Sequence, residues 1–400
     1  MKVLFLSNRG QGLTVANSMA SEGHDVSFFC RTEPLHSGQN GIVTFVDSWR
    51  PVFKSQDLIV CDSAGFGQYE RVFRENAKLV VGCSEVTDLI TLDLEKSLRA
   101  LGAVGIKIPL TRVIESSQDL LDFSEPADYP CLAASLGNPD SPLVYELRSE
   151  SQCLWAISAL QKPVHFTGVP DGIRVVCQGW FNGRNWLDPF FLSIPEQESI
   201  TDSHGTRTSM GTISRRLASG FLSKATLELF TEKLRATNYR GSVAVHCVVR
   251  EGEITGLRVD CGIIPGLIES QLEGMAFKTG TFDFFYDLAL SKSERIDTTY
   301  DYTISVPVFV GRDSIGAPIS YADNMAAVHL HFFMSFAEGV HMHIAGDGPA
   351  FYATARGRTV DEARSRVYRT LRNVYAPGSF YSRVVGKKES EIIALNQWNM

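Results

Sequence analysis

The chain has 400 residues, of which 44% are hydrophobic and 21% charged, enough to build two to four packed units around sizeable cores. A net charge of −7 excludes a general nucleic-acid or membrane coat and leaves only local basic patches open. The eight cysteines contain no C-x-x-C pair, Met1–Ser7 has too short an apolar core for a signal peptide, and no run approaches the roughly eighteen apolar residues of a membrane span. These features predict reduced thiols, no membrane partner and a cytoplasmic location.

Val3–Leu6 reads as a buried strand, Asn8–Gly12 as a tight loop, Thr14–Glu22 as a helix and Asp25–Cys30 as the next strand. That βαβ opening, continued by the short apolar runs Leu58–Cys61 and Leu79–Gly82, predicts a doubly wound parallel sheet over residues 1–108. A helix from Asp93 to Leu101 leads to an exit at Ile106–Pro109. Short apolar runs broken by Pro, Gly and Ser predict a small lid over 109–173. The central unit, 174–300, holds a strand Val175–Phe181 before an Asn182-Gly183 turn, a helix Phe221–Ala236, and a hairpin of Ser242–Arg250 with Glu253–Asp260 about Glu251-Gly252. Residues 301–400 are again strand-rich and end in a helix, Val360–Val374, opened by the capping pattern Thr359-x-x-Glu362. The fold class expected is mixed α/β and α+β.

Three features carry candidate chemistry. The Asn8–Gly12 loop sits where backbone N–H groups at a helix start attract anions, although every βα unit needs such a turn. The run from Arg207 to Arg216 puts Ser and Thr around Gly211 between arginines, suiting phosphate or carboxylate, or else forming a solvated basic turn. His329-x-His331 and His341-x-His343 each place two imidazoles on one strand face. Paired as a hairpin they would converge on a transition metal; otherwise they are polar strand positions, with His331 lining a substrate cleft. No G-x-S-x-G elbow is present, and neither Cys61 nor Cys261 has an evident histidine partner.

The C-terminal runs Gly348–Gly357, Thr359–Tyr368 and Phe380–Arg383 resemble the C-terminal domain of phosphoribosylamine–glycine ligase, a member of the ATP-grasp superfamily. Further landmarks follow in family order: Leu94-Glu-Lys96, Asp171-Gly172, Phe181-Asn-Gly183, Met210-Gly-Thr-Ile-Ser214 and Gly266-Leu-Ile-Glu-Ser-Gln271. The resemblance implies an ATP-grasp fold, with an N-terminal doubly wound domain and a β-rich C-terminal domain. It implies substrate contacts at Asn8, Gly10, Arg207, Met210, Gly211, Ser214, Arg215, Gln271 and His331. It also makes Lys96 a nucleotide-binding lysine, Glu269 the group that orients or deprotonates an amine, and Asp260 a catalytic and metal-binding carboxylate.

The departures from the family all fall on ATP. The second nucleotide lysine becomes Ala134, and the glycine loop becomes Asn138-Pro-Asp-Ser-Pro142. The adenine acids become Thr167-Gly168, and the metal-binding Glu-x-Asn becomes Asp260-Cys-Gly262. At roughly 1.5–3 kcal/mol per charge-assisted hydrogen bond, such losses remove about 5 kcal/mol or more, or about three to four orders of magnitude in affinity. ATP and magnesium binding are therefore in doubt, and the residues themselves assign no cofactor. The expected function is transfer of an amine or amino acid, such as glycine, to an acceptor already activated as a phosphate ester. That acceptor would be a phosphorylated small molecule, a nucleotide or a modified base in nucleic acid. An ATP-dependent carboxylate–amine ligase and a non-catalytic binding protein are the alternatives.

Overall fold

The computed structural model describes residues 1–31, 41–114, 119, 131–135, 144–147, 149–159, 164–196, 199–201, 207–217, 219–275, 280–322, 330–339, 341–386, 391 and 395. Its first sheet has five parallel strands, in the order Thr44–Phe45, Asp25–Cys30, Lys2–Ser7, Leu58–Cys61, Leu79–Val81. The strands are short and apolar because both faces are covered. Helices Leu13–Ser21 and Thr281–Ala289 pack on one face through Phe5, Phe28, Phe282 and Phe285. Trp49, Phe53, Phe66 and Phe73 cover the other. Glu22 binds the second helix directly, its carboxylate accepting the N–H groups of Thr281 and Phe282 at 2.6 and 3.0 Å. The chain reverses its winding between Lys2–Ser7 and Leu58–Cys61, which opens a crevice at the carboxyl ends of these strands.

The lid is an antiparallel sheet ordered Thr111–Ile114, Val164–Gly168, Cys131–Ser135, Val144–Leu147, followed in sequence by the helix Glu150–Ala159. The main body is one antiparallel sheet of eight strands: Glu253–Cys261, Gly241–Arg250, Ile173–Phe181, Phe190–Pro195, Thr212–Leu217, Tyr302–Val310, Gly348–Gly357 and Leu330–Phe332. Leu94–Ala103 and Val360–Leu371 pack on its outer face, adding Leu98, Leu101, Ala363 and Val367 to the largest core. The helix Leu267–Gly274 and the N-terminal domain lie on the inner face. A four-stranded sheet, ordered Ser335–Glu338, His341–Ile344, Pro318–Tyr321, Val374–Tyr375, completes the C-terminal part.

The eight-stranded sheet continues on both sides of residue 300, where Thr212 pairs with Ser305 and Ser305 with Thr354. Three sequence expectations change. Phe221–Ala236 is three short helices, because Thr226 leaves helical geometry (φ −131°, ψ −87°) and its hydroxyl bonds back to Leu222 O. The Asn182-Gly183 turn is wider than two residues: Asn182 Oδ1 accepts the N–H groups of Arg184 and Asn185, and the partner strand begins at Phe190. The last helix stops at Leu371, and Val374–Tyr375 joins a sheet.

Candidate functional site

The crevice at the switch point is formed by two loops, Asn8–Gly12 and Asp62–Gly67. An anion cradle needs outward-facing amides, yet most of these are used internally. Asn8 N–H donates to Ser63 Oγ (2.9 Å), Arg9 N–H to Gln11 Oε1 (3.0 Å), Gly10 N–H to Ser7 Oγ (2.7 Å) and Gly12 N–H to Asp62 Oδ2 (2.7 Å). The carboxylate that the loop binds is a residue of the chain itself, Asp62, held by Gly12 N–H. Gly10 takes the left-handed turn (φ +83°). Gly12 must be glycine because a Cβ there would lie 2.8 Å from Asp62 Cβ and Oδ2.

Asp62 was not singled out from the sequence. It is fully buried, the Ser7 and Ser63 hydroxyls face it, and its Oδ1 makes no hydrogen bond. Loss of water pushes its carboxyl up to about 7, against the downward pull of those hydroxyls and of Gly12 N–H. The available signal was its position, directly after a predicted strand at the crevice.

The helix Leu267–Gly274 links this crevice to the sheet. Glu269 is fully buried, accepting Thr14 Oγ1–H at Oε1 (2.8 Å) and Gly266 N–H at Oε2 (2.5 Å). Burial pushes it up to about 7. Both oxygens are engaged by the protein, and they tie the first helix to the Gly266 turn. Gln271 is also held within the chain. Its Oε1 accepts Trp180 Nε1–H (2.9 Å) and its Nε2 donates to Gln178 Oε1 (2.5 Å), which passes the chain on to Ser242 (2.6 Å). That buried network clamps the helix to the sheet. One turn on, Glu273 accepts Thr354 Oγ1–H (2.8 Å), and Thr354 lies 3.1 Å from His331 Nε2.

The Met210–Ser214 segment meets the same helix. A Cβ on Gly266 would sit 4.0 Å from Thr212 Oγ1, so the Gly211–Thr212 corner reaches the Gly266 turn, which Glu269 ties to Thr14 in the first helix. Gly211 (φ +157°) packs against Val385 and Ser305 O, while the neighbouring Met210 is half-buried. Strand alternation then separates the expected contacts. Ser214 is on the inner face, buried and 2.6 Å from Ser193 Oγ. Arg215 points to the outer face with Ile213, where burial lowers its pKa, so it does not border this crevice. Arg207 lies in the strand Arg207–Ser209, which pairs with Ser199–Thr201 outside the main sheet.

Asp260 Oδ2 lies 2.8 Å from His246 Nε2, and Oδ1 is bound by Arg258 through both Nε and a terminal nitrogen. Despite burial, the Arg258 guanidinium and the His246 ring beside it hold the carboxyl down to about 2. Its donor set does not fit a divalent metal, because each oxygen already faces a positive or protonatable group. Gly262 (φ +125°), where the family has its second ligand, is a docking point: its missing Cβ would lie 2.7 Å from Asp62 O, and Ile263 N–H donates to that same oxygen at 2.7 Å.

Lys96, 51% exposed in the first turn of Leu94–Ala103, is 3.5 Å from the carboxylate of its cap Asp93. Ala134 pairs with His165 in the lid. Thr167 is buried, its hydroxyl 3.1 Å from that of Thr111, with Gly168 at the strand end. Asn138–Pro142 and His329 lie outside the described residues. His331 belongs to the eight-stranded sheet, and His341 and His343 to the four-stranded one, so His331 does not pair with them in the hairpin that a shared metal would need. Among the described residues no group of three or more His, Cys, Asp or Glu side chains is placed to hold a metal, and no helix is long and apolar enough to cross a membrane.

No protein-family model matches the sequence, and no curated protein matches it significantly. Solved structures do match in shape. Phosphoribosylamine–glycine ligase from Thermotoga maritima aligns over 96% of this chain and 99% of its own, with TM-score 0.68 and 17% identity. The biotin carboxylase domain of 2-oxoglutarate carboxylase from Hydrogenobacter thermophilus covers 98% and 95% (TM-score 0.67, 11% identity). Carboxyaminoimidazole ribonucleotide synthase from Aspergillus clavatus, complexed with ATP, covers 93% and 97% (TM-score 0.60, 13% identity). Sheet order, lid and C-terminal elements together give this chain the ATP-grasp fold, on the plan of phosphoribosylamine–glycine ligase.

Proposed function

We propose that this chain is a transferase that joins an amine or amino acid, such as glycine, to a carbon atom of an acceptor already carrying a phosphate or pyrophosphate leaving group. The observation that carries the reading is the closed ion cluster of Asp260 with Arg258 and His246 at the family's metal position. A carboxylate neutralised from within has no charge left to hold magnesium against a nucleotide, and Mg-ATP is the part of the family's chemistry that this replacement disfavours. The driving force then comes from the acceptor. The new C–N bond forms as the C–O bond to the leaving group breaks, the phosphate departs with the electron pair, and the amine gives up one proton.

Asp62 takes that proton in this reading, since it retains an unused oxygen and a pKa near neutrality at the switch-point crevice. Asn8, Gly10 and the Met210–Gly211 corner border the acceptor, and His331 closes the far side. The reading is tested by thermal shift and calorimetry with Mg-ATP and with phosphorylated nucleotides, followed by transfer assays with labelled glycine. Stabilisation by the phosphorylated acceptor, with glycine incorporation and phosphate release in the absence of ATP, is expected. Micromolar Mg-ATP binding with amine-dependent ADP release would make the protein an ATP-dependent ligase, and binding of neither ligand would leave a non-catalytic scaffold.

A further inference from the structure

The charge of the chain is unevenly placed. Against a total of −7, the segment 356–383 holds seven arginines and only two acids, Asp361 and Glu362. Glu362 is engaged by Arg366, and Arg356 by Glu273. Arg369, Arg372 and Arg383 are exposed and make no ion pair among the described residues. Their positions converge. Arg364, Tyr368 and Arg372 recur at four-residue spacing along one stripe of Val360–Leu371 and its cap, and the tail after Gly378 runs back along that stripe. Tyr368 O–H donates to Ser382 O (2.8 Å), and a Cβ on Gly386 would touch Arg364 Cδ at 3.0 Å. That hydrogen bond sets Ser382, and Arg383 next to it in the chain, at Tyr368.

The same segment carries two exposed aromatic side chains. Tyr375 is 67% exposed and Phe380 47%, the latter held by stacking on Phe309 at 5.5 Å. The apolar face of the helix is spent on the sheet through Val360, Ala363, Val367 and Leu371, so no hydrophobic stripe is left to enter a lipid surface. Unpaired guanidinium groups suit phosphodiesters, and exposed rings suit unpaired bases.

We propose that this strip, formed by Arg369, Arg372, Arg383, Tyr375 and Phe380, is a binding track for single-stranded nucleic acid. It rests on the proposed transfer only in one respect: it narrows the acceptor to a base carried within a polynucleotide. Binding is measured without amine or turnover, so failure of the track and failure of the transfer reading are separable.

The test is fluorescence anisotropy of a labelled single-stranded oligonucleotide with the full chain across a salt series, with duplex of the same sequence, heparin and anionic phosphatidylserine vesicles as comparisons. Three phosphate contacts give a slope of log affinity on log salt of about −2. Arg369→Gln/Arg372→Gln should cut affinity by about tenfold or more and flatten that slope by about 1.4. Tyr375→Ala should weaken single-strand binding by about fivefold or more while leaving the salt slope unchanged. Both sites are exposed, so melting temperatures should match the parent. Three outcomes would overturn the track: no single-strand binding at low salt, variants that bind like the parent, or vesicles or heparin held as tightly as the oligonucleotide with no effect of Tyr375→Ala.

Discussion

The two buried carboxyls beside the first helix make the stability of this protein depend on pH in an unusual direction. Asp62 and Glu269 have their pKa values pushed up to about 7 from ordinary values of 3.8 and 4.5. A carboxyl whose folded pKa exceeds its unfolded one binds its proton more tightly in the native state. Its contribution is fully present below the unfolded value and is lost as pH rises through the folded one. Between about pH 5 and pH 8 each group should therefore remove about 2.5 kcal/mol of stability, and the pair about 5 kcal/mol. Glu269→Gln separates the two. The amide can donate to Thr14 Oγ1 and accept Gly266 N–H, preserving both contacts without a charge. Urea unfolding across this range should show the parent gaining stability as pH falls, and the variant losing about half of that slope while becoming more stable at pH 8. A flat parent profile, or a variant with the full slope, would refute the assignment. If Glu269 instead faces an amine, turnover of the variant would collapse while its stability held.

Arg258→Met should cost about 3–5 kcal/mol near neutral pH by leaving Asp260 short of its strongest partner. Asp260 is held down to about 2, so its pairing contributes fully above the unfolded value and is lost as pH falls through the folded one; urea titrations should show the variant's deficit shrinking below about pH 4. Gly262→Asn, which restores the family's residue type, should destabilise by about 1–3 kcal/mol because of its positive φ and the close approach of Asp62 O, and should not confer magnesium-dependent ATP binding in calorimetry. Gln271→Leu should cost about 1–3 kcal/mol for each buried group it orphans, Trp180 N–H and the Gln178 side chain, with a matching change in tryptophan fluorescence on unfolding.

The architecture was legible wherever apolar runs had the length of one strand and stood between turn residues. Val3–Leu6, Leu58–Cys61 and the Glu251-Gly252 hairpin follow from local pattern alone. The site was less legible because its chemistry depends on cross-strand register. That Arg258 and Asp260 share a face follows from a period of two, but His246 joins them only once His246 is known to oppose Arg258. Glu269 and Gln271 matched a family pattern by residue type, and type alone does not reveal that Thr14 and Trp180, 255 and 91 positions away, consume their polar atoms. The same alternation that could be read from Ser214 and Arg215 would have placed them on opposite faces in advance.

The continuity of the large sheet past residue 300 has a consequence for how the molecule is made. Tyr302–Val310 is wedged between Thr212–Leu217 and Gly348–Gly357, so the inner edge of the central sheet stays open until the late strand has left the ribosome. Until then Thr212–Leu217 offers an unsatisfied row of amides and carbonyls to any passing strand, including that of a second nascent copy. The closing segment must also deliver Val385, which fills the space against Gly211. The Gly211 corner thus takes its packed form only after Tyr302–Val310 and Val385 have both been made.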